Sequence, residues 1–100
     1  MDSYKKTKTT AYDVADYLQT REDRAAYLDA CIEESGGDAT FIAKALGDIA
    51  RAQGMAQVAR DAGLSRESLY KALSGTRAPD FDTILRVTQA LGIKLHAEAA

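Results

Sequence analysis

The sequence is poor in the residues that build most active sites and covalent frameworks. Its 100 residues include one cysteine, one histidine, one proline and no tryptophan. One cysteine cannot form an intrachain disulfide, and hydrolytic or metal chemistry needs side chains that converge on one point. The chain has no close grouping of histidine, cysteine and carboxylates, and the adjacent Glu33 and Glu34 point apart on a helix. We therefore expect no enzyme, no catalytic residue, no metal site and no cofactor.

The sequence also lacks long apolar runs. No stretch approaches the roughly 18 residues of a membrane span, and the amino terminus MDSYKKTKTT is polar with no apolar run after it, unlike a signal peptide. We expect a cytoplasmic protein that does not contact membranes. Cys31 lies among Leu28 and Ile32 at helical spacing, which favours a place in the core over a redox role.

What the sequence does contain is typical of one small globular domain. Hydrophobic residues make up 46% of the chain and charged residues 28%, and no linker, repeat or low-complexity tract divides residues 1–100. We predict an all-α fold of five to six helices with a short C-terminal β-strand. The predicted order is a flexible or strand-like N-terminus at 1–10, acidic helices at 11–52, a helix-turn-helix at 55–74, a last helix at 80–91 and the strand at 93–97.

Capping residues predict where the first helices begin and end. Asp13 is expected to cap a short turn. Thr20 and Asp23 resemble a capping box, which predicts a helix that runs to about Glu34 and stops at the double glycine 36–37. Asp38 caps a further helix that ends near Gly54. Pro79 precedes the last helix, which Gly92 ends.

Apolar spacing predicts which side of each helix faces the core. The predicted inward residues are Ala25, Leu28 and Ile32 in the first helix, Ile42, Ala45, Leu46 and Ile49 in the second, and Phe81, Ile84, Leu85, Thr88 and Leu91 in the last. The tail IKLHAEA then alternates apolar and polar residues, which favours a strand. Such a strand needs a partner, either the same tail of a second subunit or the segment YKKTKTT, and the alternative is a frayed terminus.

The stretch QVARDAGLSRESLYKALSG, residues 57 to 75, has the pattern of two helices that cross steeply. A small residue, Ala59, lies where the helices would touch, and Gly63 lies where the chain must turn with positive φ. Leu64 would bury the turn, and Ser65 would cap the second helix, which Leu69 and Leu73 would hold to the core. The residues left outward are Arg66, Glu67, Ser68, Tyr70 and Lys71. A B-form major groove could admit such a helix, although helix pairs of purely structural role are common in bundles.

The context of this helix pair resembles known DNA-binding proteins. The run that continues through SGTRAPDFDTILRVTQALGI resembles the phage-repressor-type helix-turn-helix family, which implies that the turn after the second helix and the loop near Arg77 approach phosphates. With DVADYLQT and GDIARAQGM included, the chain from about Thr10 to Ala97 looks like the HigA-like addiction-module antidote proteins. Two departures are Ala72, where many phage-type repressors carry a bulky apolar residue, and SGTRAPDF in place of a loop like SPEGNPEF.

Membership of that branch would imply a specific function. Its members are small antitoxins encoded beside a RelE/HigB-like ribonuclease toxin, which they bind and neutralise, and they repress their shared operator by binding DNA. Two other functions stay open from the residues alone. One is a stand-alone transcriptional repressor without a toxin, and the other is a protein-interaction domain whose helix pair never touches DNA.

The charges divide into an acidic half and a basic half. Residues 11–47 contain eight acidic and three basic residues, a net charge of −5, whereas residues 51–78 contain five basic and two acidic residues, a net charge of +3. The acidic half is either a solvated surface or a binding surface for a basic partner, such as a toxin that binds RNA. Tyr17 and Tyr27 could anchor that partner or lie half-buried in the core.

These patterns give two sets of candidate site residues. For operator double-stranded DNA, we expect Arg66 to reach a guanine edge and Glu67, Ser68 and Tyr70 to help select bases. The candidates for phosphate contacts are Gln57, Ser65, Lys71, Ser74, Thr76 and Arg77. The candidates for toxin binding are Asp16, Glu22, Asp23, Asp29 and Glu33. A symmetric homodimer is expected because one helix-turn-helix reads too few base pairs to select an operator.

Overall fold

The computed structural model describes residues 17–100, and within them the chain forms five helices. They are α1 (Arg21–Ser35), α2 (Ala39–Gln53), α3 (Met55–Ala62), α4 (Arg66–Ala72) and α5 (Phe81–Ala90). The predicted all-helical class is confirmed for this part of the chain. The N-terminal segment 1–10, the turn predicted at Asp13 and the candidate Asp16 lie outside the described residues.

The predicted helix starts agree with the structure. Thr20 and Asp23 form a reciprocal capping box at the start of α1, and the Asp38 carboxylate accepts from the backbone N–H groups of Thr40 and Phe41. Asp80 caps α5 in the same way. Each cap satisfies backbone donors that have no partner inside their helix, so a few local residues fix where the helices begin.

The core lies where α2, α3 and α5 meet. α1 packs on α2, and α3 packs against α2, α4 and α5. The largest fully buried side chains are Leu18, Leu46, Ile49, Val58, Leu69, Val87 and Leu91. Since every helix from α2 to α5 supplies at least one of them, the short helices are held mainly by packing against the core.

The buried face predicted for α1 is wrong by part of a turn. Leu28 and Cys31 are buried as expected, but Ala25 is exposed and 41% of Ile32 is accessible. Tyr27 faces α2 instead, and its hydroxyl donates a hydrogen bond of 2.8 Å to the Asp48 carboxylate. The buried side of α1 is therefore defined by Leu28, Cys31 and the partly buried Tyr27.

A similar correction applies at the start of α5. Phe81 is 69% exposed rather than part of the inward stripe, whereas Val87, which the spacing argument omitted, is fully buried. Phe81 is the first residue of the helix, directly after its cap, and contacts with the core begin one turn later at Ile84. The first turn therefore projects past the packed part of the molecule.

The strand predicted at 93–97 is absent from the described structure. Gly92 adopts φ 72°, and the N–H of Ile93 donates to the carbonyl of Thr88, so these residues terminate α5. Ile93 is buried, and every residue from 94 onward is exposed. A strand requires a neighbouring strand to accept and donate backbone hydrogen bonds, and residues 17–100 provide none. Within the same range, no helix has the length and apolar character needed to cross a membrane.

Candidate nucleic-acid interface

Gly63 and Ala59 occupy the turn and a buried position of the α3–α4 pair, as the sequence predicts. Gly63 ends α3 with φ 72°, a conformation that glycine adopts without strain. The N–H of Leu64 donates to the carbonyl of Ala59 over 2.9 Å, and Ala59 itself is buried at the contact. The chain therefore reverses tightly between the two helices and fixes the direction of α4.

α4 is short, and three residues hold it in place. The Ser65 hydroxyl accepts from the backbone N–H of Ser68 at 3.0 Å and so caps the helix. Leu69 is fully buried, and Leu73 after the last turn is 3% exposed. The opposite face is open to solvent because these anchors lie on one side.

All ten candidate DNA-contact residues are exposed. Arg66, Glu67, Ser68, Tyr70 and Lys71 share the outer surface of α4, next to its cap Ser65. Gln57 is less free than the sequence suggests. Its amide accepts from the Arg60 guanidinium at 2.6 Å and donates to Asp61 at 2.8 Å, so a phosphate would compete with these contacts.

The turn after α4 is stiffened by its own hydroxyl groups. Ser74 Oγ donates to the carbonyl of Lys71 and lies 2.9 Å from Thr76 Oγ1. Gly75 between them has φ 81°. The hydroxyl hydrogens of Ser74 and Thr76 and the N–H of Thr76 are thus already used within the turn, so a phosphate oxygen would have to compete for them.

An open groove of about 690 Å³ runs between α4 and the segment that leads into α5. Lys71, Thr76 and Arg77 contribute to its lining, and so do Asp80 and Thr83. Hydrogen bonds from Thr83 hold the pKa of the Asp80 carboxyl below its usual value, so the groove contains one fixed negative charge beside two cations. The carboxylate is already used as the helix cap, which leaves Lys71 and Arg77 as the charges available to an anion.

The acidic candidates that the structure describes lie on α1. Glu22, Asp29 and Glu33 are exposed, and their spacing places them on one side of the helix. Asp23 has a structural task, because its carboxylate accepts from the N–H of Thr20 in the capping box. We call the surface formed by Glu22, Asp29 and Glu33 the acidic face.

The two tyrosines near that face have different environments. Tyr17 is 77% exposed, whereas Tyr27 is half-buried against α2. Burial, reinforced by the hydrogen bond to Asp48, raises the pKa of the Tyr27 phenol, and burial also raises the pKa of the Cys31 thiol. Tyr27 therefore stays protonated as a core donor, and Cys31 lacks the lowered pKa of a reactive thiol.

Sequence reasoning missed the part of α2 that adjoins this surface. A Cβ at Gly47 would lie 3.1 Å from the Leu73 carbonyl oxygen, and a Cβ at Gly75 would overlap the Lys44 side chain. Both glycines allow α2 to approach the end of α4 closely. Such contacts join residues about 30 positions apart, and one sequence offers no periodicity from which to predict them.

Taken together, the described residues form a small helical domain with exposed cations on α4 and an acidic face on α1. No three histidine, cysteine or acidic side chains between residues 17 and 100 form a group that could hold a metal ion. The comparisons with known proteins identify the family. A family described as "probable addiction module antidote protein" matches residues 8–99, and the chain belongs to that family.

A curated relative is similar over most of both chains. A protein of Haemophilus influenzae (strain ATCC 51907 / DSM 11121 / KW20 / Rd), described as uncharacterized, is 47% identical over 87 residues, which cover 87% of this chain and 88% of the relative. No solved structure matches the chain significantly. Membership of the antidote family supports an antitoxin role in a toxin–antitoxin module and implies a cognate toxin as partner.

The Ser65 cap generates a test of how α4 is held. Replacing Ser65 by alanine removes the acceptor for the Ser68 N–H, and we expect the free energy of unfolding to fall by about 1 kcal/mol. Ser65→Asp keeps a side-chain acceptor and is expected to retain most of the stability. Urea unfolding of both variants measures the difference. Equal stability of the alanine variant and the unmodified protein would contradict the assigned cap.

Proposed function

We propose that this antitoxin represses its own operon through sequence-specific DNA binding by α3 and α4, which act as a phage-repressor-type helix-turn-helix. The observation that carries the proposal is the open outer face of α4. Its five candidate residues are exposed, while Leu69 and the Ser65 cap fix the helix to the body. A rigid, exposed helix with basic and polar side chains suits the major groove of B-form DNA.

The candidate side chains are expected to contact bases or phosphates according to their position on α4 and beyond it. Arg66 lies in the first turn of α4, the part of a recognition helix that reaches base edges, and its guanidinium can pair with guanine. Lys71 and Arg77 lie towards the groove beyond the helix, where contacts to the sugar-phosphate backbone are expected. The excess of positive charge in residues 51–78 favours approach to DNA although the whole chain carries a net charge of −2.

DNA recognition of this kind requires two copies of the chain. One recognition helix contacts only a few base pairs, and two helices related by a two-fold axis reach successive major grooves about 34 Å apart. We therefore propose a homodimer on DNA. Its specificity comes from reading two half-sites at once.

For the toxin, we propose a basic RelE/HigB-like ribonuclease that docks on the acidic face. Proteins that bind RNA present positively charged surfaces, and a partner surface of opposite charge speeds association. α1 packs on α2, whereas α4 packs on α3, so the acidic face and the DNA-reading helix belong to different parts of the molecule. One chain can then bind its toxin without using the side chains that contact DNA.

Base reading by Arg66 is tested with two duplexes, one selected from a random library for tight binding and one of random sequence. Arg66→Ala should weaken binding to the selected duplex by about 1 to 3 kcal/mol, with a much smaller loss on the random one. Lys71→Ala is the matched control, because loss of a phosphate contact should weaken binding to both duplexes alike. Titrations by fluorescence anisotropy at one salt concentration measure these affinities.

Equal losses on both duplexes for Arg66→Ala would remove Arg66 from the base-reading residues. If the unmodified protein selects no duplex at all, the DNA-binding part of the proposal is wrong. The helix pair would then be an element of a protein-interaction domain.

Toxin docking is tested by charge reversal on the acidic face, with the product of the neighbouring gene as the proposed toxin. Asp29→Lys and Glu33→Lys, made singly, should each slow association several-fold at low salt, and the effect should shrink as salt screens the charges. Glu98→Lys, also at an exposed position, changes the net charge equally and is the control. Asp23 is left intact because its reversal would break the capping box.

Stopped-flow or surface-based kinetics give the association rates, and DNA affinity should not decrease in either variant. If charge reversal leaves the association rate unchanged at every salt concentration, the acidic face is not the toxin-binding surface. Failure of the unmodified chain to bind the neighbouring gene product would favour a stand-alone repressor.

A further inference from the structure

α2 is in direct contact with the end of the recognition helix. Gly47 faces the carbonyl of Leu73, and a Cβ on Gly47 would lie only 3.1 Å from that oxygen. Gly75 lies against the Lys44 side chain and the carbonyl of Thr40. These are backbone approaches that a larger residue would obstruct. They place one face of α2 at the rim of the surface formed by α4 and the turn that follows it.

Lys44 is the unpaired cation at this contact. Its methylene groups Cγ and Cδ lie beside Gly75, while the residue as a whole remains exposed. Within residues 17–100, no carboxylate forms an ion pair with it. Arg51, one turn beyond Gly47 on the same helix, differs because its guanidinium is bound to Asp48 at 2.7 Å. The charge of Arg51 is thus largely compensated, and that of Lys44 is not.

The surroundings of Lys44 suit an anion with several oxygens. Residues 68–79 contain no acidic residue, and they include Lys71 and Arg77. Next to Gly75, the hydroxyl groups of Ser74 and Thr76 are 2.9 Å apart and exposed. Lysine and hydroxyl side chains are common partners of DNA phosphates, and the Lys44 stem lies against the turn that carries these two hydroxyls.

We propose that Lys44 contacts a DNA phosphate next to the turn 74–76, which extends the DNA-binding surface from the helix pair onto α2. This inference rests on the proposed DNA binding. Packing of the Lys44 stem over Gly75 restricts where the ammonium can go, so less side-chain entropy is lost when a phosphate binds. The contact is independent of base sequence and contributes one phosphate neutralisation.

A purely structural role predicts different behaviour. A cation near the last carbonyl groups of α4 could stabilise the helix dipole, in which case its removal would lower stability and leave the salt dependence of DNA binding unchanged. Lys44→Met separates the two roles, because methionine keeps an apolar stem over Gly75 and removes only the charge. Lys94→Met is the matched control. Lys94 is exposed and follows Gly92, which lies against Arg21 of α1 rather than beside α4.

The experiment measures affinity for a random-sequence duplex of about 20 base pairs between 50 and 200 mM salt. Loss of one phosphate contact should reduce the slope of log K against log salt by about 0.9. The ratio of the unmodified protein's affinity to that of Lys44→Met should therefore fall roughly 3.5-fold over this range. Thermal unfolding of Lys44→Met should match that of the unmodified protein, and Lys94→Met should change neither quantity.

Three outcomes would overturn the inference. An unchanged slope for Lys44→Met with normal DNA binding by the unmodified protein rejects the phosphate contact but leaves the proposed function intact. A lower unfolding temperature with an unchanged slope assigns Lys44 to support of α4. No DNA binding by the unmodified protein at any salt concentration rejects the proposed function and this inference with it.

Discussion

Burial of Leu69 and Leu73 is the interaction on which the rest of this structure depends. α4 has seven residues, far fewer than an isolated helix needs to persist in water. It exists as a fixed element because both leucines are buried in the core, the Ser65 hydroxyl caps its start and Gly63 sets the angle of entry. The same arrangement leaves its other side free of structural tasks. An exposed face becomes available for a ligand because the buried face is sufficient to hold the helix.

α2 connects the two parts of the molecule that carry opposite charge. On one side, its Asp48 accepts a hydrogen bond from Tyr27 and orients α1, and on another its glycine at position 47 admits the end of α4. The acidic face and the proposed DNA surface are thus supported by one rigid helix but do not share side chains. Under the proposed function, this separation would provide distinct surfaces for DNA and for a basic toxin.

The sequence predicts local features of this fold well and long-range ones poorly. Helix starts at Thr20, Asp38 and Ser65 follow from caps that act over three residues, and Gly63 follows from a turn that needs positive φ. The exposed positions of α4 follow from Leu69 and the helical period. The predictions for Ile32, Phe81 and the strand at 93–97 are wrong because the environment of these residues depends on which elements pack nearby. Lys44 was missed for the same reason, since its contact with Gly75 joins distant parts of the chain.

Amide chemical shifts recorded during titration with a duplex of about 20 base pairs test the central claim most directly. In the proposed complex, DNA lies on α4 and the turn after it, and the acidic face of α1 has no contact with DNA. We therefore expect the largest shift changes within residues 65–77, with a smaller group around Lys44, and little change at Glu22, Asp29 and Glu33. Changes concentrated on α1, or no saturable change at residues 65–77, would contradict the account.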